Sequence, residues 1–210
     1  MRPSSLLAAL ATGGLVSAAP SIKHAGGDVN PFLGKAQFVN PKWAAKLDQT
    51  LKSFLPKGDI ANSLKVLKIQ QTMASFVWVS RIADLSNIDD AIAAARKAER
   101  KTGRKQIVGL VLYNLRDRDC SGGESAGELH SDDNGLERYK TEFIKPYAEK
   151  VAAAKDLSFA VLEPDSLANL VTNMAIELCT KAAPTYREGI AYAIASLRYD
   201  LVHTRLEQRL

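Results

Sequence analysis

Residues 73–115, MASFVWVSRIADLSNIDDAIAAARKAERKTGRKQIVGLVLYNL, decide the fold. The stretch opens on an apolar, β-favouring run at 73–79 that reads as a buried strand. Residues 88–102 are rich in alanine, with acidic side chains first and basic ones last. That order matches the macrodipole of an α-helix, and Gly103 supplies the stop. A second apolar run at 106–115 reads as another buried strand. Further along, Asn134-Gly135 leads into a helical stretch at 136–155, and LSFAVL at 157–162 reads as a third strand. Strand, helix, strand, helix, strand is the pattern of βαβ units, and uninterrupted apolar strands imply a parallel sheet covered on both faces. Two more helical stretches follow at 166–181 and 185–197. Upstream, Trp43, Leu47, Leu51 and Phe54 recur at helical spacing within 42–55, Pro56-Lys57-Gly58 ends that segment, and a second helix covers 60–71. Residues 21–40 carry Gly, Asn and Pro without any period and read as an extended arm.

The composition is that of a globular protein: 210 residues, 46% hydrophobic and 24% charged. It excludes a disordered chain, a collagen and a coiled coil. The formal net charge of +5 is dispersed, with no basic block, so nucleic acid is not an expected partner. The first 19 residues differ in kind. Arg2 precedes a short apolar run at 6–16 (LLAALATGGLV), and Ser17, Ala18 and Ala19 are small residues of a cleavage site. This is the pattern of a secretory signal peptide, leaving 20–210 as the mature chain. No other stretch is long and apolar enough for a membrane, so a secreted, soluble protein is expected. The two cysteines, Cys120 and Cys179, are an even pair, which in an oxidising compartment favours one disulfide. Closing so long a loop stabilises by about 4 kcal/mol in the chain-entropy account. Neither cysteine has a Cys or His at zinc-ligand spacing, and His24, His130 and His203 are isolated, so no metal is expected.

In parallel α/β folds chemistry gathers at the carboxyl ends of the strands. After the first strand come Trp78, Ser80 and Arg81. After the second comes Tyr113-Asn114-Leu115-Arg116-Asp117-Arg118-Asp119-Cys120, and after the third Glu163-Pro164-Asp165-Ser166. Right-handed crossovers bring these ends to one rim, so Asp119 and Asp165 can face one cleft. Two carboxylates there divide acid and base work when their surroundings separate their pKa values. Each residue also has a plainer reading. Asp165 can serve as a helix N-cap, the RDRD run at 116–119 as a solvated loop of local ion pairs, and Trp78 as core. An exposed tryptophan at a strand end, by contrast, suits the apolar face of a sugar ring.

Together these segments closely resemble the family six glycoside hydrolases, the cellobiohydrolase II type and its related endoglucanases. Asn30-Pro31-Phe32 resembles the opening of that catalytic domain, and Phe76-Val77-Trp78 its first strand. LYNLRDRDC at 112–120 is similar to the family's YDLPDRDC loop, and LEPDSLANLVTN at 162–173 matches its EPDSLAN segment nearly letter for letter. The resemblance implies a partial, distorted TIM-like barrel that cleaves cellulose or a related β-glucan with inversion, without metal or organic cofactor, as a secreted monomer. It implies Asp165 as general acid, Asp119 as the carboxylate that raises the pKa of Asp165, and Tyr113 as a contact to the distorted sugar. Trp78 would stack on glucose, Ser125 would help hold the attacking water, and Cys120 would pair with Cys179. Ser80 lies among the substrate-facing positions but stands where the family has Asp, and Asn114-Leu115-Arg116 replaces Asp-Leu-Pro. The resemblance covers about 30–198, residues 198–210 read as unrelated sequence, and the family's catalytic base belongs to a later half. Two readings follow: a secreted β-1,4-glucanase, or a non-catalytic fragment that binds glucan weakly through Trp78. A nucleotide-binding α/β domain is excluded by the lack of a Gly-rich phosphate loop after a strand.

Overall fold

The computed structural model describes residue 30, residues 32–154 and residues 158–207, except the side chains of Phe159 and of residues 199–207. The expected signal peptide lies outside these residues. The chain divides into two units, Met1–Leu33 and Gly34–Leu210. In the first, Asn30 folds a tight turn, its side-chain oxygen accepting from the Phe32 N–H at 2.9 Å.

The second unit is built on β3 (Gln106–Leu112), whose seven residues are all buried. It pairs in parallel with three strands. β1 (Ala36–Gln37) joins at Gln106 and Ile107, β2 (Val77–Val79) at Leu110 to Leu112, and β4 (Ser158–Leu162) at Val108 to Leu112. β2 and β4 share partners on β3 and so take opposite edges. The arm expected over 21–40 therefore ends in a sheet strand, and the strand expected over 73–79 is only its last three residues. Within β2, Val77 and Val79 point into the core while Trp78 points out, 52% exposed. Period-two alternation places successive side chains on opposite faces, so an apolar run need not be buried throughout. Gly109 of β3 answers a steric demand: a Cβ there would stand 2.6 Å from the Phe76 ring.

Helices connect the strands as expected. α1 (Pro41–Phe54) starts with Asn40 capping the Lys42 N–H and proline at its first position, and α2 (Ile60–Thr72) is capped by Asp59. α3 (Ser86–Thr102) crosses from β2 to β3 and ends at Gly103, at φ 69° with its N–H on the Glu99 carbonyl. The crossover from β3 to β4 is not one regular helix. α4 (Gly135–Arg138) passes into a π-helical segment, Tyr139–Ile144, and then α5 (Lys145–Ala154). After β4, α6 (Ser166–Thr172) is short, and α7 (Glu177–Glu207) runs 31 residues straight through Pro184. The two stretches expected at 166–181 and 185–197 are thus divided near 173–176, not at the proline. Cys179, Ala182, Ala183, Tyr186 and Ala193 form a buried stripe at helical spacing while Pro184 faces solvent. Packing of that stripe offsets the roughly 3 kcal/mol that an interior proline costs. Among the described residues no helix is long and apolar enough to cross a membrane.

Candidate active site

The loop leaving β3 is enclosed, against the reading of a solvated run: Tyr113, Asn114, Leu115, Asp117, Arg118 and Cys120 are all buried. Arg118 gathers it. Its guanidinium lies 4.6 Å from the Tyr113 ring centroid and donates to three backbone carbonyls, those of Ser125 (2.7 Å), Ser80 (2.9 Å) and Tyr113. One side chain thereby ties the exit of β2 to the exit of β3. Glu128 makes a second tie, accepting from the Ile82 N–H at 2.6 Å and the Asn114 amide at 3.0 Å. From the other side, α7 holds the loop through the Cys120–Cys179 disulfide, 59 residues apart in sequence, and through the Tyr186 hydroxyl, which donates to the Asp117 carbonyl at 2.6 Å.

This bracing sustains unfavourable backbone. Asp117, Asp119 and Glu163 lie at φ 53°, 54° and 45°, the left-handed region that non-glycine residues avoid. Each such residue costs of order 1–3 kcal/mol and persists only where its surroundings impose it. The strain falls at the ends of β3 and β4, where the sequence placed the chemistry. Asp119 turns back on its own loop, its Oδ2 accepting from the Ser125 N–H at 2.7 Å. Ser125 is exposed and holds Asp119 through its backbone. Ser80 likewise works through its main chain, its carbonyl on Arg118 and its N–H on Asp84 Oδ2 at 3.1 Å.

Asp165 opens α6 but makes no side-chain capping bond and stands exposed, so the structure gives it no capping role and no shelter from water. Tyr113 connects the two aspartates. Its ring meets Trp78 edge-on at 5.9 Å, and its hydroxyl is pushed up to about 12, first by burial and then by the charges of Asp165 and Asp119. The structure therefore brings Trp78, Tyr113, Asp119 and Asp165 together at one rim. It adds residues that the sequence reading assigned no part: Arg118, Glu128 and, beneath the rim, Glu163. Burial pushes the Glu163 carboxyl up to about 7 against the hydrogen bonds it accepts. A charged residue closing an apolar strand directly before proline is the signal that marks Glu163. Among the described residues no group of His, Cys, Asp or Glu is arranged to hold a metal ion.

A parallel βαβ sheet with paired carboxylates, a tyrosine and an open tryptophan at its carboxyl rim defines a partial α/β barrel with a carboxylate-bearing rim site. The family model of "Glycosyl hydrolases family 6" matches residues 32–208, and the chain belongs to that family. The chain is 62% identical over 213 residues to "1,4-beta-D-glucan cellobiohydrolase CEL6B" of Podospora anserina, covering 99% of this chain and 51% of the relative. It is 48% identical to "Endoglucanase-6B" of Humicola insolens, covering 85% and 51%. Among solved structures, endoglucanase CEL6B from Humicola insolens superposes with a TM-score of 0.76 at 47% identity, covering 80% of this chain and 49% of that one. CcCel6C from Coprinopsis cinerea gives 0.75 at 40%, covering 80% and 46%. The chain spans about half the length of the curated relatives it matches. The family match also differs from the expectation of unrelated sequence at 198–210, since it runs to residue 208.

Proposed function

We propose that this chain carries the acid side of a secreted β-1,4-glucanase site that hydrolyses cellulose or a related β-glucan with inversion. The observation that carries the reading is the strained, braced rim where the paired strands β3 and β4 end, with Asp119 on one exit, Asp165 on the other and the charges of both helping to raise the Tyr113 hydroxyl. Asp165 is the general acid: exposed and free of capping duty, it can protonate a glycosidic oxygen and be reprotonated from solvent. Asp119, fixed by the Ser125 N–H, is the second carboxyl group of the rim and stabilises the oxocarbenium-like transition state. Tyr113 keeps its proton and donates to the sugar at the scissile bond. Trp78 offers an open ring face to a glucose unit, with Ser80 and Ser125 on the two flanking loops. Inversion requires a water activated on the opposite face of the ring, and no base is assigned among these residues. The relatives named above include both a cellobiohydrolase and an endoglucanase, so the reading stops at β-1,4-glucan. A leader at 1–19 fits the disulfide, which forms in an oxidising compartment.

A second reading, a glucan-binding chain without turnover, is favoured by the surface beside Asp165. Leu167 and Val171 of α6, then Met174, Ile176 and Leu178, are exposed apolar side chains, and among the described residues β4 pairs only along β3. Reducing-sugar release from soluble β-glucan, compared between this chain and its Asp165→Asn variant, decides between them. Release that disappears in the variant supports the glucanase. Glucan binding that depends on Trp78, with no release from either chain, supports the second reading.

A further inference from the structure

Glu163 has no part in the roles above, yet it is a fully enclosed carboxyl group two residues before Asp165. It sits at φ 45° immediately before Pro164, where a preceding residue is normally extended. Its carboxyl oxygens accept from two neighbouring elements. Oε1 takes the Asn114 N–H at 3.1 Å and the Tyr139 hydroxyl at 3.0 Å, and Oε2 takes the Leu115 N–H at 3.4 Å. Asn114 and Leu115 directly follow Tyr113, and Tyr139 belongs to the π-helical segment.

We propose that Glu163 is the positioning residue that sets Asp165 at its working place beside Tyr113 and Asp119, by clamping the end of β4 to the loop leaving β3 through Oε1. The functional meaning rests on Asp165 being the acid, but the geometry is measurable without turnover. Remove the carboxyl group and three buried donors, two N–H groups and a hydroxyl, lose their partner; that penalty drives the loop to rearrange. The strained backbone at Glu163 is then released as well, and Asp165, two residues on, moves with it. Displacement of an acid by about 1 Å is enough to impair proton transfer.

The clamp does not depend on charge. The groups facing Glu163 are Tyr139 from the π-helical segment, Arg118 and Tyr113 from the β3 exit and Tyr186 from α7. Both short bonds fall on Oε1, so a proton on Oε2 displaces only the long contact to Leu115. Glutamine, with its amide nitrogen in the place of Oε2, reproduces that form; leucine keeps the bulk and removes the acceptor.

The experiment follows the Tyr113 Cζ resonance of the full chain, labelled with ¹³C-tyrosine, through an acid titration, with Asp165→Asn identifying the step that Asp165 causes. The expected result is a full Asp165 step in Glu163→Gln and one reduced to less than half in Glu163→Leu. Tyr139→Phe, which removes one of the two short bonds, gives a step between these. A full step in Glu163→Leu overturns the proposal, and so does a loss in Glu163→Gln equal to that in Glu163→Leu. If Glu163→Leu does not fold, Tyr139→Phe decides: a diminished step upholds the clamp and an unchanged one overturns it. Absence of any Asp165 step in the parent chain also overturns it. Failure of the glucanase reading shows elsewhere, as unchanged glucan cleavage by Asp165→Asn.

Discussion

Asp119 and Asp165 act on the same tyrosine hydroxyl, but the loop leaving β3 encloses the first while the segment leaving β4 exposes the second. Asp119 is half-buried, receives a backbone N–H and sits next to a disulfide that anchors the loop to α7. Asp165 is exposed, with no capping bond, at the start of a seven-residue helix. A carboxylate whose task is to hold a fixed charge gains from rigid donors, because preorganised dipoles need no rearrangement as charge develops. A carboxyl group that must give up and regain a proton needs access to water. The difference in enclosure therefore matches a difference in proposed role, and each side of it can be attacked by mutation.

The strongest test strikes the open side. Asp165→Asn should lower cleavage of unactivated β-glucan by about a hundred- to ten-thousand-fold, the usual contribution of a positioned acid. On a substrate whose leaving group needs no proton, the loss should be far smaller; equal losses measured by steady-state kinetics would make Asp165 structural and erase the contrast. Next comes the anchor of the closed side. Replacing Cys120 and Cys179 together with serine should cost about 4 kcal/mol in denaturant unfolding, since the bridge closes a long loop. A cost near zero would mean that Arg118, Glu128 and Tyr186 hold the loop without it.

The third test concerns pH. Because Glu163 in the folded chain is raised from 4.5 to about 7, the folded state binds the proton more tightly than the unfolded state. Its contribution to stability is thus fully present below pH 4.5 and is lost as pH rises through 7, about 3 kcal/mol in all. Unfolding curves at intervals across that range should show the fall in the parent and a flat line, for this contribution, in Glu163→Gln. The smallest effect is expected on the open face. Trp78→Ala should weaken glucan binding by about 1 kcal/mol, read by calorimetry or affinity electrophoresis, with little change in stability because the ring is half in solvent. A large loss of stability would return Trp78 to the core.

The sequence was most readable where one physical pattern acted alone. β3 and β4 stand close to their expected places because uninterrupted apolar runs have few other uses, and α3 is bounded by its charge order and Gly103. β2 was overextended because an apolar composition does not tell which face is covered. The two helical stretches expected at 166–181 and 185–197 are divided instead near 173–176, because the buried stripe that carries α7 through Pro184 depends on what lies opposite, which the local sequence does not show. In the site, the aspartates, tyrosine and tryptophan could be named from their places after strands. Arg118 could not be separated from its RDRD neighbours, since a guanidinium satisfied by three carbonyls of distant segments leaves no local trace. Glu163 was quoted but given no task, because its partners lie 24 and 49 residues away.

The π-helical segment Tyr139–Ile144 also limits how this chain can change in length. Its turn holds one more residue than an α-helical turn would, and that surplus lies where Tyr139 is aimed at Glu163. Deleting a single residue there would let the helix regularise with its flanking parts close to phase, because the wide turn is what absorbs the surplus. Tyr147 and Val151 would keep their places in the core, and Tyr139 would lose the local geometry that aims it at Glu163. A one-residue gap between homologous crossovers at this point would therefore mark loss of the Glu163 contact rather than loss of the helix.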